Sequence, residues 1–141
     1  MNVLRNILAV LAGLVVGSII NMSIVTLGPN LIPPPAGVDV TDPESLAQSM
    51  HLFEARHFVS PFLAHALGTL SGAFVAWMLA VSRAELMAWL VGGLFLLGGI
   101  SAVFMFPAPT WFIVLDLAAA YLPMAWLGIQ LGKRCRKPRA T

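Results

Sequence analysis

Residues 60–76 read SPFLAHALGTLSGAFVA, an apolar run that contains a single ionisable side chain, His65. Small residues recur at every fourth position from Ala64 through Gly68 to Gly72. Residues four apart share one face of an α-helix, and a face of small residues lets two membrane helices approach closely. The run therefore predicts a membrane-spanning helix with one packing face and one polar group inside the bilayer.

The composition of the whole chain is that of a membrane protein. Of its 141 residues 59% are hydrophobic and only 10% are charged, whereas a soluble domain is about a quarter charged. A bilayer core requires about 20 apolar residues. We predict a single all-α membrane domain over residues 1–141, a four-transmembrane-helix bundle whose first apolar run is retained as a span. The predicted spans are residues 7–27, 61–81, 86–106 and 111–131.

The basic residues fall unevenly on the two sides of this arrangement. Seven of the eight lysines and arginines lie on one side, and only Arg56 lies on the other. By the positive-inside rule both termini are cytoplasmic. The tail at residues 132–141 serves either as this topology signal alone or also as a contact for anionic lipid. The seven residues are Arg5, Arg83, Lys133, Arg134, Arg136, Lys137 and Arg139.

The outer loop, residues 28–60, is the longest connection. Its three consecutive prolines, residues 33–35, predict a stiff extended arm. The TDPE sequence at residues 41–44 is typical of a helix start capped by Thr41, so we predict a short amphipathic helix up to about residue 58. It is expected to lie on the outer membrane surface or over the bundle. A second capping box, SRAE at residues 82–85, is expected to open the third span.

Small residues at four-residue spacing mark the helix-packing positions of the bundle. We expect glycine faces that remain exposed to bind other membrane helices or lipid. The predicted packing positions are Gly13 and Gly17 in the first span, Ala64, Gly68 and Gly72 in the second, and Gly128 and Gly132 in the fourth.

Polar groups inside a span are costly and indicate function by default. Asn21, His65 and Asp116 are predicted to lie at a shared depth and to point toward the bundle centre, with His65 placed to meet Asp116. Three interpretations remain open: a structural histidine–carboxylate pair, a proton-linked or cation-binding site, or an aspartate hydrated near the interface. Pro123 is expected to kink the fourth span just beyond Ala120.

A metal site is a separate possibility in the outer loop. His51, Glu54 and His57 follow one another at three-residue spacing, and with His65 they offer imidazole and carboxylate ligands for a divalent metal. On a helix, however, His51 and His57 lie about 120° apart, which favours a solvated helix face. The sequence names no cofactor, and it carries no P-loop, HExxH or G-x-S-x-G motif.

Four segments together resemble a family of small uncharacterised bacterial inner-membrane proteins with four predicted spans. The resemblance covers nearly the whole chain and implies an inner-membrane location and this architecture. It implies no activity and no site residues. The segments are LIPPPAGVD, PFLAHALGTLSGA, PAPTWF and DLAAAYLPMAWLG.

Three functions are consistent with these features. The leading hypothesis is a non-enzymatic accessory or self-assembling bundle, whose partners are the lipid bilayer and either further copies of itself or a larger membrane complex, with no nucleic acid. The alternative is a small proton-coupled or cation transporter or channel that uses Asp116 and His65. The third is a metal-dependent membrane enzyme or metal carrier.

Overall fold

The structure is a computed structural model that describes residues 2–136, and all regular structure in that range is helical. Four units are long and apolar enough to cross a membrane: α1, α3, α4 and the pair α5 and α6. The prediction of an all-α four-helix membrane bundle is thereby confirmed. The helices are α1 (Asn2–Leu31), α2 (Pro43–Ser49), α3 (Val59–Leu79), α4 (Ala84–Met105), α5 (Thr110–Ala119) and α6 (Leu122–Cys135), with 3₁₀ turns at Met50–Leu52 and Ala55–Phe58.

Helix α3 is the centre of the bundle and contacts α1, α4, α5 and α6. Its buried residues are mostly alanine and glycine, so neighbouring helices lie directly against its backbone. In contrast, α1 exposes large apolar side chains along its length, among them Val15 and Ile19. Such side chains are stable only against lipid or another apolar surface, which agrees with an integral membrane protein.

Helices α1 and α3 meet through a glycine seam, formed by Gly13, Gly17, Gly68 and Gly72. A Cβ atom added at Gly13 would lie 2.5 Å from the Gly72 carbonyl oxygen, and one at Gly17 would lie 2.6 Å from the Gly68 carbonyl oxygen. No side chain fits at those distances. The two backbones are therefore in direct contact, as small-residue rows permit in membranes.

The remaining predicted packing positions also lie between helices of this chain. A Cβ atom at Gly128 would lie 2.6 Å from the Leu70 carbonyl oxygen, and one at Gly132 would lie 2.5 Å from the Trp77 ring. Ala64 has no exposed surface. All seven positions are buried between helices, as expected for packing positions, and the binding of further helices or lipid by other faces stays a prediction.

Helix α1 extends four residues beyond the predicted boundary at residue 27. Its last turn contains Pro29, which removes the hydrogen bond that its own N–H would make. The Ile32 N–H still bonds to the Gly28 carbonyl at 2.9 Å, and Gly28 lies against Ser60 at the start of α3.

At the other end of the chain α6 continues to Cys135, so residues 132–135 of the predicted tail are helical. Lys137 and Arg139 lie outside the described residues.

The turn between α3 and α4 is held by α1, and the predicted capping box there is wrong. The N-cap of α4 is Arg83, whose side chain caps no amide and whose φ is 48°. The Ser82 hydroxyl instead accepts a hydrogen bond from Asn6 Nδ2 at 2.9 Å, and Asn6 Oδ1 accepts one from the Val81 N–H at 3.1 Å. The Ser82 hydroxyl, which was expected to cap α4, is thus bonded to Asn6 instead.

Candidate functional site

The predicted partners His65 and Asp116 meet where α3 and α5 lie side by side. His65 Nδ1 is 2.9 Å from both carboxylate oxygens of Asp116. The Asp116 side chain is 7% exposed and that of His65 is 24% exposed. Both helices begin at the end of the bundle that carries the long loop, and each group lies about 9 Å inside its helix start. This shared depth is what allows the contact.

Tyr121 completes the group, which we call the polar site (His65, Asp116 and Tyr121). Its hydroxyl donates to Asp116 Oδ2 at 3.1 Å, and its ring stacks on His65 with the ring centroids 5.6 Å apart. The side chain is buried and lies against Gly99, where a Cβ atom would collide with it. The carboxylate is therefore held from two sides.

Tyr121 reaches Asp116 because the fourth span is interrupted, not merely kinked as expected. Helix α5 ends at Ala119 and α6 begins at Leu122, with Pro123 in its first turn. Tyr121 lies between them at φ −116° and ψ −82°. Proline lacks an N–H and cannot continue the α5 hydrogen-bond ladder, so the chain restarts there. The prediction missed Tyr121, although it is the only tyrosine and lies two residues before that proline.

Asn21 does not take part in the polar site. Its side chain lies on the glycine seam, where its Cβ is 3.0 Å from the Cβ position of Gly68. Gly68 lies three residues after His65, so Asn21 packs against α3 about one helical turn away from His65. The structure brings two of the three predicted residues together and leaves the third in helix packing.

A cavity of about 230 Å³ opens directly onto His65 and Asp116. Its walls are almost wholly apolar, and four phenylalanine rings contribute to them. Phe58 and Phe112 are packed with their ring centroids 4.6 Å apart. The polar site thus forms one end of an aromatic chamber. The four phenylalanines are Phe53, Phe58, Phe106 and Phe112.

The roof of this cavity is the segment at residues 42–58, which we call the lid. Met50 and Phe58 are buried against Phe112 of α5, so the segment covers the bundle, one of its two predicted positions. The single predicted helix is wrong, because Phe53 and Glu54 are extended and divide it into short pieces.

The start of the lid also differs from the prediction. The N-cap is Asp42, whose carboxylate accepts from the Ser45 N–H at 3.1 Å. Thr41 is occupied elsewhere: its hydroxyl and its N–H donate to Asp39 Oδ1 at 2.6 and 2.8 Å. The Thr41 hydroxyl, followed by the Thr41 N–H, lowers the pKa of the Asp39 carboxyl.

The predicted metal ligands of the loop do not converge. His57 is buried and its Nδ1 accepts from the Glu54 N–H at 2.8 Å. The Glu54 carboxylate pairs with Arg56 at 3.0 Å on the surface, and His51 is exposed. Within residues 2–136 no three His, Cys, Asp or Glu side chains form a group able to hold a metal ion.

A second cavity of about 410 Å³ adjoins the first on the loop side. It lies between the end of α1, the proline arm at residues 33–35 and the start of α3, and Phe53, His57 and Pro61 line both cavities. His57 is therefore part of the wall between the loop side of the protein and the polar site.

No protein-family model, curated protein or solved structure matches the chain.

Proposed function

We propose that the protein is a membrane carrier that binds a small, mainly apolar cation at the His65–Asp116 pair in exchange for a proton. One observation carries the proposal: a buried histidine–carboxylate pair at the end of a cavity walled by aromatic rings. An ionisable pair that only fixes helix register has no need of such a cavity.

The chemistry of exchange follows from the contacts of Asp116. Its carboxylate is the negative charge of the cavity, and aromatic faces attract cations, so the walls favour a positively charged guest with an apolar body. A cation at Asp116 displaces His65 as the counter-ion. In the proposed exchange the proton on the His65 ring leaves when that counter-ion is lost. Tyr121 keeps the carboxylate oriented during the exchange.

The size of the cavity limits the guest. An apolar cavity of about 150 Å³ holds benzene, so the 230 Å³ here accommodates one ring and a short cationic group. Benzyltrimethylammonium is a suitable probe, because its charge is permanent and any pH dependence of binding must come from the protein. Neopentylbenzene has the same shape without the charge and serves as the matched neutral ligand.

The binding experiment is titration calorimetry of the purified protein between about pH 6 and pH 8, in buffers of different ionisation enthalpy. We expect benzyltrimethylammonium to bind more weakly as the pH falls and to release about one proton. Asp116→Asn should abolish binding, whereas His65→Gln should bind without proton release. If neopentylbenzene binds equally well, or if binding is independent of pH, the proposal is wrong.

We further propose that this protein resides in a bacterial inner membrane with both termini in the cytoplasm. The support for the orientation is the charge at the end opposite the lid, which we call the basic end. It carries Arg5, Arg83, Lys133, Arg134 and Arg136 among the described residues, whereas the lid end carries Arg56.

Cys135, the only cysteine and an exposed one, tests this orientation directly. A membrane-impermeant maleimide should label it in inverted vesicles and not in spheroplasts. The double variant Cys135→Ser/Ala36→Cys moves the label to the outer loop and should give the opposite result. Labelling of Cys135 from the outside would contradict the proposed orientation.

The other two candidate functions have less support. Self-assembly was inferred from glycine faces, and the seven predicted positions pack within the chain. A metal-dependent function required ligands that lie apart in the described residues.

A further inference from the structure

A third recess lies at the basic end, far from the lid. It is a groove of about 530 Å³ between the first halves of α1 and α4. Its walls are aliphatic and include Val3, Ile7, Leu86 and Leu90, all of which are exposed. The groove thus faces the surrounding hydrocarbon along α1 and α4, and its mouth is polar, with Asn6, Ser82 and Arg83 at the turn between α3 and α4.

Among the described residues, Arg83 is the only charged side chain that lines this groove. Among residues 2–136 it is also the only non-glycine residue with a positive φ, at 48°. That conformation is strained for arginine and easier for glycine or asparagine. The requirements of the turn therefore do not account for an arginine there, and strained positions cluster at functional sites.

The positive charge near the groove mouth is incompletely neutralised within the described part of the chain. Residues 2–136 contain three ion pairs, and none of them involves Arg83. The pairs are Arg56 with Glu54, His65 with Asp116 and Lys133 with Glu85. No side chain caps the first amides of α4, because Ser82 is bonded to Asn6. The one carboxylate of that first helical turn, Glu85, is engaged by Lys133 at 2.6 Å. Helix N-termini and arginines both favour phosphate.

We propose that the groove binds one phospholipid with an anionic headgroup, its acyl chain between α1 and α4 and its phosphate beside Arg83. Charge complementarity selects this occupant: an apolar trough that ends at an unpaired arginine and an uncapped helix end matches a lipid, with its apolar tail and anionic head. A helix from a second copy would supply the apolar part alone. The site is independent of the cation exchange proposed at the polar site.

The test is the thermal unfolding of the purified protein with added phosphatidylglycerol or phosphatidylcholine in neutral detergent. We expect phosphatidylglycerol to raise Tm by about 5 °C more than phosphatidylcholine does. Arg83→Asn should remove this excess while its lipid-free Tm stays the same or rises, because asparagine tolerates a positive φ. The lipid-free Tm thereby distinguishes a variant that misfolds from one that has lost only the lipid site. Arg83→Lys should keep most of the excess.

The matched control is Arg134→Asn, which removes an equal charge at the basic end outside the groove and should keep the full excess. Native mass spectrometry should show one retained phosphatidylglycerol on the wild type and none on Arg83→Asn. Equal Tm shifts with both lipids, or an unchanged excess in Arg83→Asn, would overturn the proposal. So would an equal shift with inorganic phosphate, which indicates a free-phosphate site. Disulfide-linked dimers of the double variant Cys135→Ser/Leu86→Cys would also overturn it, because they indicate a second copy in the groove.

Discussion

Helix α3 packs against α1 and against α5 in opposite ways. Toward α1 it presents Gly68 and Gly72, and the backbones touch with no room for a side chain. Toward α5 it presents His65, which reaches across to Asp116 beside a cavity of about 230 Å³. One face of the helix is closed by direct backbone contact, and the other is held open by polar and aromatic side chains.

This difference indicates that the glycine seam mainly stabilises the fold, whereas the polar site carries the ionisable groups. The glycine seam contains no ionisable group and derives its strength from close packing alone. The polar site contains charge-assisted hydrogen bonds, which are strong in a low-dielectric setting but depend on every partner being present. Substitutions in the seam should therefore affect folding, and substitutions in the polar site should affect pH dependence and binding.

The largest effect is expected from Gly72→Leu in the seam. The new Cβ would lie 2.7 Å from the Gly13 carbonyl oxygen and 3.1 Å from Val91, so α1 must move away. We predict a loss of about 3 kcal/mol or more in the free energy of unfolding, measured by denaturant titration in mixed micelles. Gly98→Leu is the control, because its Cβ meets nothing within 4 Å. Comparable stability of the two variants would show that the seam does not hold α1.

The second effect concerns the pair itself. Asp116→Asn removes the charge that faces His65 and should lower stability by about 2 kcal/mol, less than for a fully buried pair because His65 is partly exposed. A double-mutant cycle with His65→Gln measures the coupling between the two groups. A coupling near zero would mean that the contact at 2.9 Å contributes nothing to folding.

A smaller effect is expected from Tyr121→Phe. The variant keeps the ring that stacks on His65 and loses the hydroxyl that donates to Asp116. We predict a loss of about 1 kcal/mol in stability and weaker binding of benzyltrimethylammonium, because the carboxylate is then held from one side only. Unchanged values for both quantities would exclude Tyr121 from the site.

The smallest effect lies outside both faces of α3. Thr41→Val removes the hydroxyl that bonds to Asp39 and leaves the N–H bond in place. The pKa of Asp39 is depressed in the folded protein, so stability from this bond is present above the unfolded pKa and is lost as the pH falls through the folded pKa. The variant should raise the Asp39 pKa toward its ordinary value, as read by carboxyl ¹³C NMR titration. A pKa that does not move would assign the shift to backbone N–H groups alone.

The bundle was predictable because hydropathy and small-residue spacing act over whole helices. Long apolar runs decide the spans, and the rows at Gly13, Gly68 and Gly128 show which faces lie inside. His65 and Asp116 were predicted as partners because equal distances from two helix starts at one end place side chains at one depth.

Tyr121 and the lid were not predictable from periodicity, because both depend on where helices stop. Pro123 was read as a kink, yet the interruption turns Tyr121 back to Asp116. The lid sequence has helical spacing, but burial of Met50 and Phe58 against Phe112 favours several short helical pieces over one regular helix. Ser82 failed as a cap for a similar reason, since a distant residue, Asn6, bonds to its hydroxyl.

The most direct test of cation exchange at the polar site is transport into proteoliposomes with an acidic interior. Benzyltrimethylammonium should accumulate inside as protons leave, and dissipating the pH gradient should stop its uptake. Asp116→Asn should show no uptake, and His65→Gln should show uptake that no longer depends on the gradient. Wild-type uptake equal to that of Asp116→Asn, or uptake indifferent to the gradient, would contradict the account and leave the pair a structural contact.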